Sequence, residues 1–262
     1  MQLIDIGVNL TATRFDKDRQ DVISRAQHVG VKQQIVTGTN LPSSQQAFEL
    51  CLQHPDTLYC TAGFHPHHAS DNTTQAWQQL TALWQHPQVV AIGETGLDFN
   101  RNFSTPQEQL DSFEKHLQAA CEHALPLFLH ERDAEDAFYE LLSHYRSRLL
   151  GGAVLHCFTG SRSWLERLLT LDIYIGITGW VCDERRGQDL REAVPLIPQD
   201  RLLVVTDAPY LLPRDMRPKP KSSRNEPSYL PHIATSVGVL RGQTTEEIAQ
   251  ITSNNCQRLF NL

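Results

Sequence analysis

Eight short apolar runs, each followed by a stretch of helical periodicity, limit what this chain can fold into. They start near positions 3, 34, 58, 88, 127, 153, 172 and 202. The expected strands are Leu3–Asn9, Gln34–Thr39, Leu58–Phe64, Gln88–Asn100, Leu127–His130, Ala153–His156, Asp172–Ile177 and Leu202–Thr206. Short apolar runs bounded by glycine or polar residues fit strands covered on both faces, as in a parallel sheet. The segments between them read as helices at Asp16–Gly30, Ser43–His54, Thr74–Gln85, Pro106–Ala124, Asp133–Leu149 and Ser161–Leu171. A short helix ends at Val194, and two more follow near Tyr229–Val239 and Thr244–Phe260. Pro55, Pro87 and the Gly151-Gly152 pair stop three of these helices, and Pro106 starts one. Asp133 is the expected cap of the fifth. In Pro106–Ala124 the apolar stripe is Leu110, Phe113, Leu117, Ala120 and Cys121.

Eight βα units in about 250 residues is the size of a (β/α)₈ TIM barrel. An open doubly wound sheet is the alternative, but the Gly-rich turn that often follows its first strand is missing here. No linker is long enough to split the chain, so residues 1–262 are expected to form a single domain.

In such barrels chemistry sits at the carboxyl ends of the strands. Strand four runs into Glu94, strands five and six end on His130 and His156, and strand eight runs into Asp207. A carboxylate or imidazole at the end of a buried strand is costly unless it is paired. Two histidines and two carboxylates in one register suit zinc, manganese or iron, and suit magnesium less well. A cation held there polarises a substrate oxygen and lowers the pKa of a bound water. Asp207 is then a ligand, a water-orienting group or a proton acceptor. The bland alternative is four unrelated polar strand ends satisfied by loop backbone.

His65 ends strand three ahead of Pro66 and is placed to touch a substrate phosphate or assist proton transfer. His67 and His68 are expected to face solvent, with His67 able to join the rim. Asp98, Arg101, Arg132 and Asp133 lie just beyond the metal-bearing strands, with Arg132 and Asp133 also readable as an ion pair. After strand eight comes the one sharply basic segment, carrying Arg214, Arg217, Lys219, Lys221 and Arg224 against Asp215. Its prolines keep it extended, so its cations can line a groove. Cations beside a metal favour a phosphate ester over a neutral amide. Arg132, Arg214, Arg217 and Lys219 are accordingly the candidate substrate-binding residues, and Trp180 and Tyr210 candidate base-stacking ones.

Composition excludes some classes. A net charge of −7 argues against a basic surface that coats nucleic acid, though not against a local basic site. The longest apolar stretches are too short to span a membrane, and no secretory signal opens the chain. The cysteines Cys51, Cys60, Cys121, Cys157, Cys182 and Cys256 form no C-x-x-C pair, which suits a reduced cytoplasmic compartment. Cys157, next to His156, reads as a small strand residue rather than a nucleophile.

Five motifs carry a resemblance: IGETGLDF (Ile92–Phe99), GFHPH (Gly63–His67), LFLHERDA (Leu127–Ala134), VLHCFTG (Val154–Gly160) and TDAPYLLP (Thr206–Pro213). In this order, and over nearly the whole chain, the sequence resembles the TatD family of metal-dependent deoxyribonucleases. The resemblance implies a TIM-barrel hydrolase of the amidohydrolase type. It implies 3′→5′ exonuclease action on DNA, with single strands and RNA as candidate substrates, a part in DNA repair or degradation, and a divalent metal, usually Mg²⁺, with Mn²⁺ or Zn²⁺ as alternatives. By motif match Glu94, His130 and His156 are metal ligands, Asp207 is a further ligand or the catalytic acid/base, and His65 is a phosphate-side residue. The expected form is a cytoplasmic monomer without membrane association.

Two positions depart from the family pattern. Where most relatives carry Asp-x-His-x-His, this chain reads Asp5-Ile-Gly7-Val-Asn9, which removes two imidazoles. Val205 stands where relatives commonly carry Glu. Two rival readings therefore stay open: a hydrolase of a small amide or lactone, and a metal-poor binding or quality-control protein.

Overall fold

The computed structural model describes residues 1–262. Its eight strands are β1 (Leu3–Val8), β2 (Val31–Val36), β3 (Leu58–Ala62), β4 (Val89–Asp98), β5 (Leu127–Arg132), β6 (Ala153–Leu155), β7 (Tyr174–Ile177) and β8 (Leu202–Val204). They lie in one sheet in sequence order. The first strand is tied to the last. Asn9 N–H donates to the Ala208 carbonyl at 2.7 Å and Asp207 N–H to the Gly7 carbonyl at 3.0 Å, with a parallel bridge between Val8 and Ala208. An open doubly wound sheet would leave those groups at free edges. The fold is the expected (β/α)₈ TIM barrel.

The helices are α1 (Arg19–His28), α2 (Leu41–Gln53), α3 (Thr74–Leu83), α4 (Pro106–His123), α5 (Glu135–Tyr145), α6 (Arg162–Leu169), α7 (Gln188–Ala193), α8 (Leu230–Arg241) and α9 (Thr245–Phe260). Two compact units divide the chain. One comprises Met1–Val36, His156–Arg258 and Leu262, and the other Thr37–Leu155 with Leu259–Asn261.

In the first unit β1 pairs with β2 and β7 with β8, both in parallel. β2 begins at Val31 rather than Gln34, because Leu3 of β1 needs Val31 as its partner. α1 is shorter than its sequence pattern. Asp18 occupies its cap position but makes no cap hydrogen bond. Its carboxylate is taken by Arg224 at 2.7 Å and Arg25 at 3.1 Å.

In the second unit β3, β4, β5 and β6 pair in parallel. α4 starts with a capping box in which Glu108 N–H donates to Thr105 Oγ1 at 3.3 Å and Thr105 N–H to Glu108 Oε2 at 2.7 Å. Its buried face includes Phe113, Leu117 and Ala120, as the pattern expects, but Leu110 and Cys121 are only half-buried. Gln109, Ser112, His116 and Ala119 take up the rest of that face. Phe113 stacks on Phe138 of α5 with ring centroids 5.3 Å apart. Asp133 is not the cap of α5. The cap position falls on Ala134, whose N–H donates to Glu131 Oε1 at 2.8 Å, while Asp133 accepts from the Asn100 side chain.

Candidate metal centre and substrate cleft

β4 does not end at Glu94. It continues to Asp98, and Glu94 sits in a bulge instead. Gly93 pairs with Phe128 and Thr95 with Leu129, so Glu94 is the extra residue on its strand. A bulge re-aims the side chain it carries. Gly93 and Gly96 both have positive φ, and a Cβ at either would collide with a β5 carbonyl, that of Phe128 or of His130. Only glycine lets the two strands approach this closely on both sides of the carboxylate.

Glu94 is 5% exposed and Asp98 1%. His130 lies between them, with Nδ1 3.3 Å from Glu94 Oε1 and Nε2 3.6 Å from Asp98 Oδ2. Burial alone would lower the His130 pKa, but the carboxylates of Asp98 and Glu94 on either side of the ring push it up to about 9. Burial likewise opposes ionisation of Asp98, yet the His130 ring beside it and the hydrogen bond from His67 hold it well below the usual carboxylate range. The pocket therefore favours positive charge at this point. A divalent cation on Glu94 and His130 would take the place of the proton that His130 carries, so the donor set fits a metal.

His65 belongs to a different role. His67 N–H donates to His65 Nδ1 at 3.0 Å, which places the proton of the neutral ring on Nε2. That nitrogen lies 3.5 Å from Glu94 Oε1 and faces it as a donor. Glu94, His130 and His65 lie close enough to form a three-residue cluster, but the tautomer makes His65 a proton-bearing neighbour rather than a ligand.

His67 was expected to face solvent or to join the rim. Its Nε2 lies 2.8 Å from Asp98 Oδ2, and its ring meets Phe103 edge-on at 4.8 Å. Asp98 is fixed at every polar atom. Its Oδ1 accepts from Asn100 N–H at 3.0 Å and Arg101 N–H at 2.9 Å. The Gln109 side chain accepts from its N–H at 2.8 Å and donates to its carbonyl at 3.1 Å. Of these neighbours the sequence had named Asp98, just beyond the metal-bearing strand, and His67, as able to join the rim, but not Gln109. The signal for Asp98 was its place two residues past Gly96 in the same apolar strand. Gln109 carried no signal beyond a polar residue on a helix face.

In the first unit, His156 follows β6 directly and is 2% exposed. Asp207 follows β8, and its Oδ1 accepts from the Asn9 side-chain amide at 3.0 Å. Asn9 therefore holds a carboxylate. Asp5 is fully buried and accepts from Thr206 N–H at 2.9 Å as well as from the Thr206 hydroxyl. Burial pushes its pKa up to about 7 in spite of these bonds.

The basic segment behaves as a groove wall. A cleft of about 510 Å³ is lined by Arg185, Arg214, Arg217, Lys219 and Lys221 against Asp183, Glu184 and Asp215. A second cleft of about 360 Å³ shares Asp183 and Arg214 and adds Arg14, Trp180 and Tyr210. Tyr210 is 53% exposed, and Arg186 covers the Trp180 ring at 4.5 Å. Arg224 does not join the groove. It is spent on Asp18 and Glu226, both at 2.7 Å. Arg132 closes β5 and is exposed.

A parallel eight-stranded barrel with buried carboxylates and imidazoles on its strands places the chain among the TIM-barrel hydrolases. Residues 4–261 match the model of the TatD related DNase family, and the chain belongs to that family. It is 56% identical over 260 residues to the 3′-5′ ssDNA/RNA exonuclease TatD of Erwinia tasmaniensis, covering 99% of this chain and 100% of that one. It is 52% identical to the protein of the same name from Salmonella typhimurium, covering 98% of each. Among solved structures, a TatD homologue of Escherichia coli K12 superposes with a TM-score of 0.89 at 27% identity, covering 99% of this chain and 98% of that one. No helix is long and apolar enough to cross a membrane.

Proposed function

We propose that this chain is a divalent-metal-dependent exonuclease that removes nucleotides from the 3′ end of single-stranded DNA and RNA. It works as one barrel domain over residues 1–262, as a cytoplasmic monomer in nucleic-acid repair or degradation. The observation that carries the reading is His130, held between the buried carboxylates of Glu94 and Asp98 at 3.3 and 3.6 Å. Glu94, His130 and His156 hold the cation, with Asp207 as a further ligand or the group that manages the proton. Magnesium is the expected ion, with manganese or zinc able to replace it.

When bound, the metal supplies Lewis acidity and lowers the pKa of water. The remaining work falls to the protein. Asp98 fixes the ring plane of His130, as a carboxylate behind a ligating imidazole does. His65, whose Nε2–H faces Glu94 at 3.5 Å, is a phosphate-side residue that can turn that donor to developing negative charge once Glu94 holds the cation. Asn9 holds Asp207 in one rotamer by the 3.0 Å amide contact. Arg132, Arg214, Arg217 and Lys219 bind flanking phosphates, and Phe103 (67% exposed), Tyr210 and Trp180 offer faces for unpaired bases. The basic cleft supports a charged substrate over a small neutral amide or lactone.

The test is nucleotide release from a 3′-labelled single strand, with and without chelator. Glu94→Gln and His130→Ala should each lower it by at least about 10²-fold. Release that survives both changes and the chelator would end the reading. Neutralising Arg217 and Lys219 should weaken nuclease action; equal action on an uncharged ester would favour the small-molecule rival.

A further inference from the structure

Three elements that play no part in the proposed metal centre bring a second donor set together. Cys182 ends the short helical turn Gly179–Cys182 after β7, Asp215 lies in the loop after β8, and His232 stands in the first turn of α8. Their ligand atoms all lie within 4.8 Å of one another. His232 Nε2 is 2.7 Å from Asp215 Oδ1, and the Cys182 thiol donates to Ser236 Oγ at 3.3 Å. Cys182 is 1% exposed, while the His232 and Asp215 side chains keep 32% and 30% of their surface. Cys182 and Asp215 also line the cleft of about 510 Å³, which gives an ion a way in and leaves room for a water as fourth ligand.

We propose that Cys182, Asp215 and His232 form a second cation site, selective for zinc or another thiophilic divalent ion. Thiolate, imidazole and carboxylate are the donors that zinc accepts in a tetrahedral site, while magnesium prefers oxygen donors and keeps its waters. Binding proceeds by exchange. The Cys182 thiol gives its proton to solvent, His232 moves its proton through solvent from Nε2, where it now bonds Asp215, to Nδ1 and so frees the Nε2 lone pair, and Asp215 exchanges its bond to His232 for one to the ion. Thiolate and carboxylate together balance the two positive charges. Burial pushes the Cys182 thiol up to about 12, so only an ion that bonds sulfur strongly can displace its proton. The Ser236 hydroxyl, now donating to the His232 carbonyl at 3.1 Å, can turn to donate to the thiolate. The bound ion would pin the loop after β8 to α8. That this loop handles substrate rests on the function proposed above; the site itself does not.

The probe is Co²⁺, titrated into the metal-stripped full chain and into its Glu94→Gln/His130→Ala variant. Both should show a near-ultraviolet thiolate-to-cobalt charge-transfer band that saturates at a single equivalent, is displaced by Zn²⁺ and survives excess Mg²⁺. Cys182→Ser should lose the band, with its far-ultraviolet circular dichroism checked against the parent. His232→Ala should weaken cobalt binding by at least about tenfold, and it decides the matter alone if Cys182→Ser does not fold. No charge-transfer band in the full chain, the same band in Cys182→Ser, or unchanged affinity in His232→Ala would each overturn the proposal. None of these readouts depends on nucleotide release, so a failed nuclease assignment would show separately.

Discussion

His116 makes an acid-labile bolt beside the proposed centre, and its cost can be worked from the structure. The ring is fully buried on α4. Phe64 N–H donates to its Nε2 at 3.1 Å, so the proton of the neutral ring is on Nδ1, where it donates to the Ser112 carbonyl at 2.7 Å. A second proton would have to enter at Nε2, breaking the bond to Phe64, the residue just before His65, and placing a charge against the Trp77 ring 5.0 Å away. Burial accordingly holds the His116 pKa down to about 4 from 6.5. The folded value lies below the unfolded one. The contribution is therefore complete above pH 6.5 and is lost as pH falls through about 4. Between about pH 7.5 and about pH 5 the two-pKa expression gives a loss of about 2 kcal/mol, approaching about 3 kcal/mol at lower pH. Urea unfolding of the parent and of His116→Gln, followed by tryptophan fluorescence, measures this directly. Glutamine can still accept from Phe64 N–H but does not titrate. The parent should lose about 2 kcal/mol more than the variant over that pH interval. Parallel losses would refute the assignment of His116 as a neutral, doubly bonded ring.

Asp98→Asn leaves the fold intact but removes the charge that orients His130 and His67. Nucleotide release should fall about 10- to 100-fold, and a release rate equal to the parent's would remove Asp98 from the site. Arg217→Ala and Lys219→Ala should each raise KM for single-stranded DNA and reduce the slope of log KM against log salt by about 0.7. An unchanged slope would mean that neither cation meets a phosphate. Arg224 hydrogen bonds hold the Asp18 pKa down to about 2 from 3.8, so the pair stabilises the fold above pH 3.8 and ceases to as pH falls through about 2. Asp18→Asn should cost about 1 kcal/mol at neutral pH once solvent screening is counted, and the difference in Tm from the parent should shrink toward pH 2. A difference that does not vary with pH would contradict this.

The barrel was legible because its cause is local. Apolar runs and helix punctuation are both written in the sequence, and most element ends fall within a few residues of expectation. Glu94 was expected at the end of its strand but sits within it, because the bulge that carries it depends on pairing with β5 and leaves no mark except two glycines. The stripe on α4 was drawn from its apolar residues alone. Gln109 and His116 were missed because their burial follows from partners on β4 and after β3, which periodicity does not see. For His67 the sequence left solvent and the rim both open, since a histidine in a polar loop shows nothing of the carboxylate that will meet it. Arg224 was grouped with its basic neighbours by position, whereas Asp18, far away in the chain, decides where it points.

The two glycines beside Glu94 have a consequence for how this protein can change. Because the closest contacts there are with the Phe128 and His130 carbonyls, the spacing of Glu94 from His130 is set chiefly by main chain meeting main chain. Residues lining the interior can drift through many apolar substitutions without altering that spacing. A single methyl group added at position 93 or 96 would alter it at once. Tolerance to mutation should therefore be broad along the apolar barrel interior and abruptly absent at Gly93 and Gly96.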